Sequence, residues 1–143
     1  MKKMMLLLLG TLSLAGFAAD DAWLTDFEQA KKLAAESGKY ILINFTGSDW
    51  CGWCKRLDQE VFSQSEFTTF AADNLILLKL DFPRYRQQSQ AERQRNMALA
   101  QEFRVQGFPT LFLTDANGKP VLQTGYQPGG PQPFNQLLKS KMR

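Results

Sequence analysis

The chain has 143 residues, 44% of them hydrophobic and 22% charged, which suits one compact domain with a core of its own. Its net charge is +3; without Lys2 and Lys3 it falls to about +1, so the balance gives no ground for a nucleic-acid partner. Histidine is absent and cysteine occurs only at Cys51 and Cys54, which argues against a disulfide-stapled scaffold and leaves a four-ligand zinc site short of ligands.

Lys2 and Lys3 precede an apolar run from Met4 to Ala15, and Gly16 and Ala18 then occupy the −3 and −1 positions of a cleavage site ahead of Asp20 and Asp21. A basic start, a short apolar run and a small-residue exit are the parts of a secretory signal peptide, here residues 1–18. The run is shorter than the roughly 20 residues of a membrane-spanning helix, and Phe17 stands where a lipoprotein site needs cysteine. The expected product is a mature domain of residues 19–143, exported to the periplasm or secreted, and not membrane-spanning.

Thr25-Asp26-Phe27-Glu28 fits a capping box, and Phe27, Ala30 and Ala34 continue one helical face until Gly38 stops it. Tyr40 to Phe45 reads as a buried strand, Thr46 to Asp49 as a loop, and Cys51 to about Glu60 as a helix. Ser63-Gln64-Ser65-Glu66 is a second box opening a short helix with Phe67 and Phe70. Leu75 to Leu80 is apolar apart from Lys79, as in a central strand covered on both faces. A polar stretch from Arg84 to Asn96 follows, and Met97, Ala100 and Phe103 give its later part a helical face. Gly107-Phe108-Pro109 breaks the chain before a strand at Thr110 to Thr114. Asp115-Ala116-Asn117-Gly118 turns it into a hairpin through Val121 and Leu122. A last amphipathic helix carries Phe134, Leu137, Leu138 and Met142. Helices between buried strands imply parallel crossovers, and the hairpin an antiparallel edge, giving an α/β domain of three layers, α/β/α, around a mixed central sheet.

Cys51-Gly52-Trp53-Cys54 directly follows a strand and a turn and opens a helix. Unpaired N–H groups and the helix dipole favour an anion there, so they stabilise the Cys51 thiolate, and Cys54 lies one turn on, placed to attack a mixed disulfide at Cys51. Lys55 and Arg56 add positive charge, although a solvated helix face is their ordinary role. A two-thiolate Cu(I) site and an inert local disulfide are the competing readings.

The segment Trp50 to Lys55 after Ile41–Phe45, together with Val105-Gln106-Gly107-Phe108-Pro109-Thr110, resembles the two signatures of the thioredoxin family, in the family's order. Asp49-Trp50-Cys51 and Lys55 to Phe62 are most similar to the C-terminal domain of the bacterial membrane thiol:disulfide interchange protein and to small exported thioredoxin-like proteins. The resemblance implies a thioredoxin fold and a cis Pro109 beside the cysteine pair, its neighbour's backbone open to an extended substrate strand. It implies substrate-facing roles for Phe108, Trp50 and Trp53, packing being the ordinary role of Phe108 and Trp50, and it matches Gly125 to a glycine near the substrate groove.

The departures are specific. Where thioredoxins carry a buried aspartate, this chain has Asn44 or, without one extra loop residue, Phe45, and neither can act as a general base. Lys79 matches the family's buried lysine; Asp49, Lys79 or water would have to replace the proton relay. Gly52 and Trp53 replace the usual Gly-Pro, and the intervening residues tune the potential, since about 30 mV corresponds to 1.4 kcal/mol. Phe82 to Gln94 is longer than in a minimal thioredoxin, its arginines forming a solvated face or a docking surface for an acidic partner. The family's first strand is not evident.

The function expected is thiol–disulfide oxidoreduction in the bacterial envelope: reduction or exchange of protein disulfides, with no dissociable cofactor beyond the Cys51–Cys54 disulfide and no metal. Electrons would come from a membrane thiol–disulfide donor, the protein acting as a monomer. The resemblance favours a reductant or isomerase over a strong oxidant. The alternatives are a copper-binding or chaperone module using the same thiols, and an idle interaction domain binding through Arg84, Arg86, Arg93 and Arg95.

Overall fold

The structure, a computed structural model, describes residues 22–143; the expected signal peptide and its cleavage site lie outside the described residues. Five strands form one sheet in the order β1-β3-β2-β4-β5: β1 Trp23–Leu24, β2 Tyr40–Thr46, β3 Leu75–Asp81, β4 Thr110–Thr114 and β5 Pro120–Thr124. β3 lies parallel to β1 and β2, while β4 is antiparallel to both β2 and β5.

The sheet divides two apolar layers because side chains alternate along each strand. Leu42 packs with Leu57, Val61, Phe67, Phe134 and Leu138 on one face. Ile41, Ile43 and Phe45 pack with Ala30, Ala34, Leu78, Leu80 and Phe112 on the other. The first face is covered by α2 (Gly52–Leu57), which continues through a π-helical turn at Asp58–Phe62, and by α3 (Ser65–Asn74) and α5 (Pro131–Lys139). α1 (Phe27–Ser37) and α4 (Gln90–Glu102) contribute to the second. The three-layer expectation holds, and β2 and β3 are the doubly covered strands that their unbroken apolar runs indicate.

Several expectations are corrected. A first strand does exist, but with only two residues, Trp23 and Leu24, it carries no alternation to read. β4 is not reached by a parallel crossover: Thr110 pairs with Phe45, so the Phe103–Pro109 connection delivers the chain to the sheet end where β2 finishes, and β4 runs back. The cap of α1 is Asp26, whose carboxylate accepts from the Gln29 N–H at 2.9 Å; Gly38 ends that helix with φ 69, as its left-handed cap requires. Ser63 does not cap α3; its hydroxyl donates to the Gln59 carbonyl, and Gln64 takes the cap position without a side-chain bond. Met97 is 50% exposed. α4 turns Asn96, Leu99, Ala100 and Phe103 inward instead, drawn by the bond from the Asn96 amide to the Asp81 carbonyl.

Candidate active site

β2 ends at Thr46 and the chain turns through Gly47 into Cys51, which caps α2. The turn is tight for a steric reason: a Cβ on Gly47 would come within 2.5–2.7 Å of the Trp50 indole. Cys51 and Cys54 form a disulfide, and the Cys54 N–H points at Cys51 Sγ at 3.2 Å. The cap position therefore offers the sulfur the hydrogen-bond donor that favours a thiolate. Cys51 is 6% exposed and Cys54 1%, so an incoming sulfur reaches Cys51 first. Cys51 Sγ lies 3.7 Å from the Phe108 carbonyl oxygen, and the Phe108–Pro109 bond is cis. Gly125 faces the same loop: a Cβ there would sit 3.3 Å from the Pro109 carbonyl oxygen. Close approach, not a left-handed turn, is what suits glycine at this position.

Two aromatic groups flank the disulfide. On one side Trp50 meets Phe108 edge-on at 6.0 Å, Phe108 stacks on Phe82 at 5.0 Å, and Trp50 Nε1 donates to the Phe82 carbonyl at 2.7 Å. On the other, Trp53 is 55% exposed and lies 4.9 Å from Tyr126. The Arg56 guanidinium covers both rings at 5.5 and 5.6 Å. Glu60 accepts from Arg56 Nε and from the Tyr126 hydroxyl, each at 2.6 Å. The Arg56 bond and then the Tyr126 bond hold the Glu60 carboxyl below its ordinary range, and Glu60 in turn pushes the Tyr126 hydroxyl up.

The sequence-predicted tuning residues are placed less directly. Asn44 is buried on the face shared with Leu42, and its Oδ1 has no hydrogen-bond partner. Lys79, opposite Asn44 in the β2–β3 register, is half-buried and not fully buried as expected; its ammonium lies 5.8 Å from the Trp23 ring centroid. Gly52 begins α2 with open space where a Cβ would stand. Asp49 holds the following loop through its carboxylate. Burial raises its pKa, but bonds from the Arg84, Arg86 and Tyr85 N–H groups outweigh that and keep the carboxyl below its ordinary value.

Sequence reasoning missed the polar anchor beneath the Trp50 side. Buried Asp81 accepts from the Ser48 N–H at 2.9 Å and from the Ser48 hydroxyl, and pairs with Arg86 at 2.9 Å. It also missed Glu60 and Tyr126; the i,i+4 spacing of Arg56 and Glu60 was the available signal. Among the described residues, no three His, Cys, Asp or Glu side chains gather into a group that could hold a metal ion.

A family model described as a thioredoxin-like domain matches residues 27–141. The disulfide bond reductase DsbH of Chlamydia pneumoniae is 35% identical over 126 residues, covering 88% of this chain and 75% of that protein. The thiol:disulfide interchange protein DsbD of Haemophilus ducreyi is 33% identical over 95 residues, 66% of this chain but 15% of that protein. A solved DsbH oxidoreductase superposes with a TM-score of 0.79 at 35% identity, over 83% of this chain and 82% of the other.

Proposed function

The chain belongs to the thioredoxin-like family and is a thiol–disulfide oxidoreductase; from that premise we propose that it reduces or exchanges disulfides of exported proteins in the bacterial envelope. Cys51 is the attacking thiol and Cys54 the resolving one. The observation that carries this reading is the Cys51–Cys54 disulfide at the start of α2, with Cys51 Sγ facing the carbonyl that precedes Pro109.

The cycle starts from the reduced pair. The Cys51 thiolate attacks one sulfur of a substrate disulfide; the new bond joins Cys51 to that sulfur, and the other substrate sulfur leaves as a thiolate. Cys54 then attacks Cys51 Sγ, the second substrate sulfur leaves, and two electrons have passed from the pair to the substrate. Asn44 is no base, so the Cys54 proton goes to a departing substrate thiolate. Trp50, Trp53 and Phe108 give the substrate an apolar seat, and the backbone beside Pro109 pairs with it as an added strand. A membrane thiol–disulfide donor returns the two electrons. The named activity of the DsbH relative, disulfide bond reduction, supports the reducing direction.

Cys54→Ser should trap mixed disulfides through Cys51. In glutathione buffers the wild-type pair should equilibrate near about −270 mV, thioredoxin's value; one near about −120 mV would make the protein an oxidant. Absence of any reversible transition would remove the exchange reading altogether.

A further inference from the structure

The four arginines of the Arg84–Asn96 stretch separate in the structure. Arg86 is paired with Asp81. Arg93 and Arg95 are exposed on α4, across the sheet from Cys51. Arg84 alone stands at the site: it is exposed, and its guanidinium lies 3.7 Å from the centroid of the Trp50 ring, next in sequence to Cys51.

Its placement is built from the backbone up. Arg84, Tyr85 and Arg86 donate their N–H groups to the Asp49 carboxylate at 2.9, 2.9 and 2.7 Å. The Trp50 indole is fixed by its bond to Phe82, and its ring edge meets Phe108 beside Cys51. Stacking occupies the flat face of a guanidinium and leaves its N–H edge for acceptors; among the described residues, no hydrogen bond or ion pair uses that edge. The Asp49 carboxylate, which holds the Arg84 backbone, is engaged by three N–H groups and makes no ion pair with the guanidinium.

We propose that Arg84, stacked on Trp50, selects substrates: it favours protein disulfides whose reacting cysteine is flanked within a few residues by Asp or Glu, by taking that carboxylate on its N–H edge. The inference rests on the exchange reading above and adds the chemistry of the substrate segment.

The test uses the reduced protein and two synthetic peptides with the same disulfide loop, differing only in Asp or Lys on either side of each cysteine. Single-turnover oxidation of the protein is followed by Trp fluorescence. The wild type should react about two- to fivefold faster with the acidic peptide, the upper range for one exposed charge contact, and the ratio should shrink in 0.5 M salt as screening grows. In Arg84→Gln it should approach one, and in Arg84→Glu it should invert. Arg93→Gln should keep the wild-type ratio. Because each ratio is taken within one protein, a variant that is partly misfolded still reports on selection. A wild-type ratio near one, or one that survives Arg84→Gln, overturns the proposal while leaving the exchange reading intact. If the wild type oxidises with neither peptide nor with oxidised glutathione, the exchange reading fails and this proposal fails with it.

Discussion

The two flanks of the disulfide are built differently, though each presents an arginine over a tryptophan. On the Trp50 flank the anchors are backbone groups held by carboxylates: three successive N–H groups on Asp49, and the Ser48 N–H on Asp81, which is 5% exposed. On the Trp53 flank the anchors are side chains holding side chains, Arg56 and Tyr126 on Glu60, around an exposed ring. Backbone anchoring fixes a loop in one conformation; side-chain pairs at the surface lose rotamer freedom and gain little in water. The Trp50 flank is therefore a fixed wall and the Trp53 flank an adjustable one.

The largest expected effect is at Asp81. Asp81→Ala leaves the Ser48 N–H without its acceptor and Arg86 without its partner. It should cost about 2–3 kcal/mol in a urea titration, below the usual cost of breaking a fully buried pair because Arg86 is half exposed. Asp81→Asn, which keeps one acceptor, should cost less. A null result for Asp81→Ala would mean that the wall is held without Asp81, by the Asp49 bonds and the aromatic contacts. Gly47→Ala comes next: its Cβ collides with the Trp50 ring, and relief by moving that ring should cost about 1–3 kcal/mol and shift the Trp emission. An unchanged spectrum at wild-type stability would show that Trp50 moves freely, against the fixed-wall view.

Acid sharpens the comparison. Asp49 is held below its ordinary value of 3.8 by the three N–H bonds, so it binds fewer protons folded than unfolded at the acid edge. Its contribution is present above pH 3.8 and is lost as pH falls through the lower, native value. Hydrogen exchange should find the Arg84, Tyr85 and Arg86 amides protected at about pH 5 and released only below 3.8. Release at or above neutral pH would show that the Asp49 bonds do not hold the loop.

What the sequence showed and what it hid divide along the same physical line. β2, β3 and the cysteine helix are local patterns: unbroken apolar runs, a turn, and a pair of thiols at CxxC spacing. The cis Pro109 followed from a motif. Strand direction has no local signature, so β4 was found at its residues but not its antiparallel run against β2, and two residues carry no period, so β1 was not seen. Met97 and Asn96 exchanged faces because one long-range bond to the Asp81 carbonyl decides how α4 is turned. Tyr126 meets Glu60 across 66 residues of sequence, and no spacing rule reaches that far. The anchors of both walls belong to this second class.

The smallest effect, and the most discriminating, is at Glu60. Arg56 and then Tyr126 hold its carboxyl below the ordinary 4.5, so whatever it contributes is present above that pH and fades as pH falls through its native value. The group is at the surface, and Gln in its place still accepts the Tyr126 bond, so Glu60→Gln should move the Tm by no more than about 2 °C. The Trp53 environment should change instead, because Arg56 loses the charge that holds it over the Trp53 and Tyr126 rings. The near-ultraviolet circular dichroism of variant and wild type should differ at neutral pH and converge in acid, where protonated wild-type Glu60 is uncharged like the Gln of the variant. A Tm loss as large as that of Asp81→Ala would make the two flanks equally rigid, and the distinction between a fixed and an adjustable wall would have to be given up.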